Sequence, residues 1–181
     1  LDSLEHQYRS VTKDPSDNFV SSGYIETFLP NFPKPYPAKK PTKILISKYN
    51  TIGGLTWANR YIPPLNGRRY SNEIAYSVCY QPADNTYGVT GTTDYFTGTG
   101  GQDIFIMKVN QAGTPLWFKV YKQSIPSNSQ VTESRRIVPM PDGGFSITGW
   151  TNVSDPTASD IIILTVNGGG GITWLFTYGF N

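Results

Sequence analysis

Asp142-Gly143-Gly144-Phe145-Ser146-Ile147-Thr148-Gly149-Trp150, then Asp160-Ile161-Ile162-Ile163-Leu164-Thr165-Val166-Asn167, then Gly170-Gly171-Ile172-Thr173-Trp174-Leu175-Phe176-Thr177-Tyr178-Gly179, is the segment from which the architecture follows. The same succession occurs twice more. One copy runs Asp84-Asn85-Thr86-Tyr87-Gly88-Val89-Thr90-Gly91, Asp103-Ile104-Phe105-Ile106-Met107-Lys108-Val109-Asn110, and Gly113 with Leu116-Trp117-Phe118-Lys119-Val120-Tyr121. A more divergent copy runs Ser16-Asp17-Asn18-Phe19-Val20-Ser21-Ser22-Gly23, Lys43-Ile44-Leu45-Ile46-Ser47-Lys48-Tyr49-Asn50, and Gly53 with Trp57-Ala58-Asn59-Arg60-Tyr61. Trp57, Trp117 and Trp174 lie 60 and 57 residues apart, and Tyr61, Tyr121 and Tyr178 repeat those differences. A repeat of this length decides the architecture before any single residue does.

Each unit reads as four strands. In the third unit, residues 134–138 and 145–150 flank Pro141-Asp142-Gly143-Gly144, whose Asp and Gly tolerate the positive φ of a tight hairpin. Residues 151–159 form a polar loop, and the continuous apolar run 161–166 implies a strand buried on both faces. The Gly168 to Gly171 reversal returns the chain through 172–178. The other units follow with strands at 75–80, 87–92, 104–109 and 116–121, and at 8–12, 19–24, 44–49 and 55–61. No segment carries a helical apolar period over ten or more residues. The units divide the chain into residues 1–61, 62–121 and 122–181. In the first, an insertion at 27–41 carries five prolines and favours an extended polyproline course.

Composition agrees with this reading. In 181 residues, 38% are hydrophobic and 14% aromatic, enough for a packed core, while 18 Gly and 14 Pro fit many short strands joined by turns. A net charge of +2, with Lys and Arg scattered, excludes the basic stripe of a nucleic-acid binder. No apolar run approaches the roughly 20 residues that cross a bilayer as a helix. Cys79 is the single cysteine and leaves the redox compartment open. The start at Leu1, without Met or a charged-then-apolar leader, reads as a processed or excerpted piece.

The pattern D-G-G-F/Y-x-x-x-G, D-I-x-I-x-K-x-N-x-x-G, W-x-x-x-Y-G resembles the blade repeat of secreted bacterial β-propeller proteins over nearly the whole chain. The resemblance implies an all-β fold of three four-stranded antiparallel blades, and an extracellular or cell-surface location. The first copy departs from it, with Lys43 in place of Asp103 and Asp160, and Ser16 in place of Asp84 and Asp142. Propellers close with roughly four to eight blades, so three make an incomplete ring on their own. An isolated arc would expose one apolar face at each end. The expectation is therefore that further blades or a second copy complete the core, with an open stacked array the weaker alternative.

Few residues invite chemistry. His6 is the only histidine and reads as a residue of the first inner strand rather than a catalytic base. Asp84, Asp103, Asp142 and Asp160 recur, but D-G-G leads straight into a strand without the alternating oxygen ligands of a calcium loop, so turn formation and amide capping account for them better. The Gly168 to Gly171 run has no helix or Lys behind it and is not a phosphate cradle. Glu73 and Glu133, beside Arg135 or Arg136, read as paired surface or channel charges. Asn152-Val153-Ser154 matches a glycosylation acceptor, of consequence only in a eukaryotic source. No catalytic, metal or cofactor residue is assigned.

Trp57, Trp117, Trp174, Tyr61, Tyr121 and Tyr178 read as the packing core between blades. Trp150 breaks the repeat, since Tyr24 and Thr92 hold its place, and is the Trp most open to a surface role. The variable loops gather Tyr36, Arg68, Arg69, Tyr70, Tyr95 and Phe96 on one face, the expected interaction loops. The expected function is a non-catalytic extracellular structural or protein-interaction module. Its partners would be further blades, another copy, or a surface protein or glycan, with neither nucleic-acid binding nor membrane insertion. The alternative is a lectin-like propeller that binds glycan through aromatic loops.

Overall fold

The computed structural model describes residues 5–27, 41–63, 71–94, 101–121, 131–152 and 159–179. These form twelve strands and, among the described residues, no helix. The first sheet contains β1 (His6–Lys13), β2 (Phe19–Glu26), β3 (Thr42–Tyr49) and β4 (Leu55–Tyr61). The second contains β5 (Glu73–Gln81), β6 (Thr86–Thr93), β7 (Asp103–Val109) and β8 (Pro115–Tyr121). The third contains β9 (Thr132–Pro139), β10 (Phe145–Thr151), β11 (Asp160–Val166) and β12 (Ile172–Tyr178). Within each sheet the strands pair antiparallel in sequence order, as expected for a blade. The three blades do not close into a ring.

The hairpins are built from the recurring residues. Asn50, Asn110 and Asn167 each turn Oδ1 onto the amides two and four residues ahead. The distances are 3.2 and 2.7 Å for Ile52 and Gly54, 3.0 and 2.9 Å for Ala112 and Thr114, and 3.1 and 2.9 Å for Gly169 and Gly171. Such side-chain mimicry of a backbone turn is why Asn ends the third-strand motif. Gly53, Gly113 and Gly170 follow with φ of 82°, 78° and 75°, a region that costs glycine little. In the first hairpins the positive φ falls on Asp17 (62°), Asn85 (55°) and Gly143 (81°), the residue types that tolerate it best.

The Gly that ends the second-strand motif answers a different need. At Gly23, Gly91 and Gly149 a Cβ would run into the carbonyl oxygens of Gln7, Ile74 and Glu133 respectively. At that level each first strand carries a bulge, leaving Arg9, Tyr76 and Arg135 outside the pairing. A bulge increases local twist and brings the two backbones close, so the opposed position has no room for a side chain.

The blades pack face to face around two apolar cores. Val20, Ile44, Ile46 and Tyr61 of the first meet Ala75, Val78, Tyr87, Val89, Phe105, Met107 and Val109 of the second. Cys79, Ile104 and Ile106 on the second blade's other face meet Ile137, Phe145, Ile147, Ile162, Leu164 and Val166 of the third. The first strands of the blades lie nearest one another, β1 against β5 and β5 against β9. The middle blade is thus covered on both sides, and every residue of β7 is buried.

The third blade differs from the sequence expectation in one respect. Residues 161–166 read as buried on both faces, yet Ile162, Leu164 and Val166 are buried while Ile161 is 46% exposed. Continuous apolarity marks a strand suited to two neighbours, and among the described residues one blade lies alongside it.

Candidate functional site

The interior interfaces show what a covered blade face requires. Trp57 Nε1 donates to the Gln111 carbonyl of the next blade at 3.1 Å, and Trp117 Nε1 to the Gly168 carbonyl at 2.9 Å. Tyr61 and Tyr121 donate to the carbonyls of Gly113 and Gly170, at 2.5 and 2.9 Å. Burial raises both phenols above the ordinary tyrosine range, which keeps them protonated donors. The latch at each interface is therefore a Trp and a Tyr from β4 or β8 reaching the Asn-Gly hairpin one blade ahead. The indole also packs on the next blade's ring, Trp117 lying edge-on to Phe145 with centroids 6.2 Å apart.

A buried lysine sits beside each latch. Lys48 Nζ lies 3.1 Å from Asp14 of its own blade, and donates to the Tyr87 hydroxyl at 3.0 Å and Gln111 Oε1 at 2.6 Å in the next. The Tyr87 hydroxyl is 2.7 Å from both Asp14 Oδ2 and Gln111 Oε1 but has one proton to give. Because Lys48 already supplies Gln111, that proton goes to Asp14. Burial alone would raise the Asp14 carboxyl, but donation from Tyr87, Asn18 and Lys48 outweighs it and holds the group well below the usual carboxylate range. At the second interface Lys108 pairs with Asp84 and donates to the Gly143 carbonyl of the third blade at 3.0 Å. In the third blade Thr165 occupies the lysine position.

Lys43, where the other units have Asp, pairs with Glu73 of the second blade at 2.6 Å and donates to the Ser71 carbonyl at 2.7 Å. Burial keeps the Glu73 carboxyl above its usual range despite that ammonium. The first unit's departure from the repeat is thus a cross-blade ion pair, not worn sequence.

The two end faces carry the same positions uncovered. Ile161 is 46% exposed, whereas its equivalents Ile44 and Ile104 are 0% and 1%. Phe19 is 41% exposed, whereas Tyr87 and Phe145 are both 0%. Every residue of β12 is exposed. On it Trp174 stacks on Phe176 with centroids 5.7 Å apart and planes 6° from parallel, and Phe176 on Tyr178 at 6.4 Å and 22°. Among the described residues, Trp174 Nε1 reaches no acceptor, unlike Trp57 and Trp117. At the opposite end, Ile52 is 90% exposed and a Cβ on Gly53 would meet nothing within 4 Å. At Gly113 it would meet Asn59 Nδ2 at 2.6 Å and Trp57 Cδ2 at 3.1 Å.

A second cluster lies where the inner strands converge. The bulge residues stack, with the Arg9 and Arg135 guanidinium carbons 5.5 and 5.1 Å from the Tyr76 ring centroid. Arg135 Nη2 and Trp150 Nε1 both donate to Glu133 Oε2 at 2.7 Å. Trp150, read from sequence as the Trp most open to a surface role, is half-buried and tethered to Glu133. Beside this cluster a cleft of about 450 Å³ runs from Tyr8, Arg9, Ser10, Val11 and Ser21 of the first blade to Arg136 of the third. His6 is exposed on β1, Cys79 is buried, and no three His, Cys, Asp or Glu among the described residues group as metal ligands.

The structure brings the Trp and Tyr residues of the repeat onto blade faces. The expected interaction loops with Tyr36, Arg68, Arg69, Tyr70, Tyr95 and Phe96 lie outside the described residues. Sequence reasoning missed the roles of Lys48, Lys108, Asp14 and Gln111. The signal for the lysines was a charge recurring inside an apolar strand, a position that demands a buried partner. Comparison with models of known protein families gave no match, and comparison with curated proteins gave none.

Proposed function

We propose that the chain is a non-catalytic structural and interaction module of propeller-type blades, acting outside the cell or at its surface. Its end faces are completed by further blades, of another copy or of the same protein. One observation carries this reading: Ile161 is 46% exposed at a position that is 0% and 1% exposed in the other two blades. Burial of a large aliphatic or aromatic side chain contributes about 1.5–3 kcal/mol, so half-covered Ile161, Trp174, Phe176 and Phe19 together represent several kcal/mol held in reserve for a partner. Trp57, Trp117, Tyr61, Tyr121 and the three hairpin Asn residues direct their polar groups to backbone, which supports a structural role. The extracellular setting is supported by the resemblance of the blade repeat. Hydrogen exchange of the native protein tests the core-completing reading. Backbone amides of β11 are expected to be as protected as those of β7, and the β12 amides that pair with β11 as protected as their equivalents in β8. A stable particle in which they exchange like a frayed edge refutes it.

Glycan binding is a second reading, favoured by the nearly coplanar rings of Trp174 and Phe176, since a flat exposed aromatic row suits a sugar face. Titration with monosaccharides and oligosaccharides that leaves Trp fluorescence and its quenching by acrylamide unchanged would remove it.

A further inference from the structure

We infer that the third blade docks head-to-tail on the first blade of a second copy, two copies closing a ring of six. This rests on the reading that the end faces are covered, and adds which partner covers them and in which register. Inside the chain, the Trp of one blade donates to the carbonyl after the hairpin Asn of the next, Trp57 to Gln111 and Trp117 to Gly168. The third blade presents that donor, Trp174, and the first presents that acceptor, the Thr51 carbonyl after Asn50. The first blade also holds Phe19 where Phe145 receives the Trp117 indole, and its Gly53 hairpin stands open. Donor, ring and hairpin are thus split between the two ends of one chain.

The substitutions at this seam fit contact between separate molecules. Thr165 replaces Lys48 and Lys108, while Phe19 replaces the Tyr87 hydroxyl and Thr51 replaces the Gln111 amide that receive Lys48. The second seam inside the chain already lacks those acceptors, with Phe145 and Gly168 in their places, so Thr165 is what sets this seam apart. The seam buries no ammonium, the costly step when a face must first exist in water, and Arg60 stands at its rim in the place of Val120. Two such chains, joined by two identical head-to-tail contacts related by a two-fold axis, close a ring of six, within the range of roughly four to eight blades.

The test is native mass spectrometry and sedimentation velocity across a dilution series, on the intact chain and two variants. Gly53→Asn adds a side chain where a Cβ meets nothing within 4 Å and suits φ of 82°, but in the seam it would strike Trp174 and Phe176, as a Cβ at Gly113 would strike Trp57 and Asn59. Trp174→Ser removes the opposite half. A two-chain particle is expected for the parent, with dissociation at least about tenfold easier in each variant and an unchanged β-type circular dichroism spectrum, an interface change of about 1.4 kcal/mol. Mixing the two variants is expected to restore two-chain particles, because each mixed pair keeps one intact seam. An assembled particle indifferent to Gly53→Asn, or variants that do not rescue each other, overturn the head-to-tail pairing and leave the covered-face reading standing. A one-chain parent at every concentration overturns the pairing, and open exchange of β12 in that particle overturns the parent reading too.

Discussion

Replacing Lys48 with Met tests whether the buried lysines, and not apolar contact alone, hold the blades together. The substitution keeps the aliphatic stem between Val20 and Trp57 and removes only the ammonium. Three contacts vanish: Asp14 at 3.1 Å, Tyr87 at 3.0 Å and Gln111 at 2.6 Å. Breaking a buried pair on one side costs about 3–5 kcal/mol. Asp14 keeps the amides of Ser16 and Asn18 at 2.9 and 3.0 Å, the Asn18 side chain and the Tyr87 hydroxyl, so the cost belongs at the lower end, about 3 kcal/mol. Urea unfolding at fixed protein concentration measures it, and a cycle with Asp14→Asn isolates the pair. The pH dependence follows from the depressed Asp14 carboxyl. Its contribution is fully present above its unfolded value, about 4, and is lost as pH falls through that value toward the folded one. Glu73 acts in the opposite sense, since a raised carboxyl contributes below its unfolded value and loses that contribution as pH rises through the folded one. The difference between the parent and Asp14→Asn therefore isolates Asp14, and acid sensitivity below pH 4 should shrink in that variant. Lys48→Met within about 0.5 kcal/mol of the parent, the range of an ordinary surface change, would mean that apolar contact alone holds this interface.

Three further outcomes follow from the same interfaces. Gly88→Val places a Cβ against the fully buried Phe145 ring and should destabilise by about 1–3 kcal/mol in urea unfolding. Val20 occupies the same repeat position, so an unchanged midpoint would show that Phe145 yields and that the second interface is loosely packed. Glu73→Leu leaves the Lys43 ammonium, 3% exposed, on the Ser71 carbonyl and hydroxyl, and should cost about 3–5 kcal/mol in thermal or urea unfolding. A neutral effect would mean that the ammonium escapes to solvent. The Cys79 thiol, buried between the second and third blades, is pushed up to about 12 by burial, so an aromatic disulfide reagent at pH 8 should leave it unmodified until denaturant is added. Rapid modification of the native protein would show that this interface opens.

The repeat count, the strand order within each unit and the chemistry of each hairpin are legible in the residues alone, because those instructions are local. Asn50, Asn110 and Asn167 bind amides within four residues of themselves, and the glycines after them supply a backbone angle that needs no distant partner. The repeated Trp and Tyr also announced a packed face, since a strand with a recurring indole must set it against something. What each face meets is settled only when the blades pack. Asp14 and Tyr87 stand 73 residues apart, Lys48 and Gln111 63, and no local pattern selects such pairs. The stack of Arg9, Tyr76 and Arg135 likewise depends on three bulges meeting near one axis. Ile44, Ile104 and Ile161 share one motif and one strand position, yet the first two are buried and the last is half in water. Strand propensity and turn geometry belong to a residue and its near neighbours, while burial belongs to whichever blade comes to lie alongside.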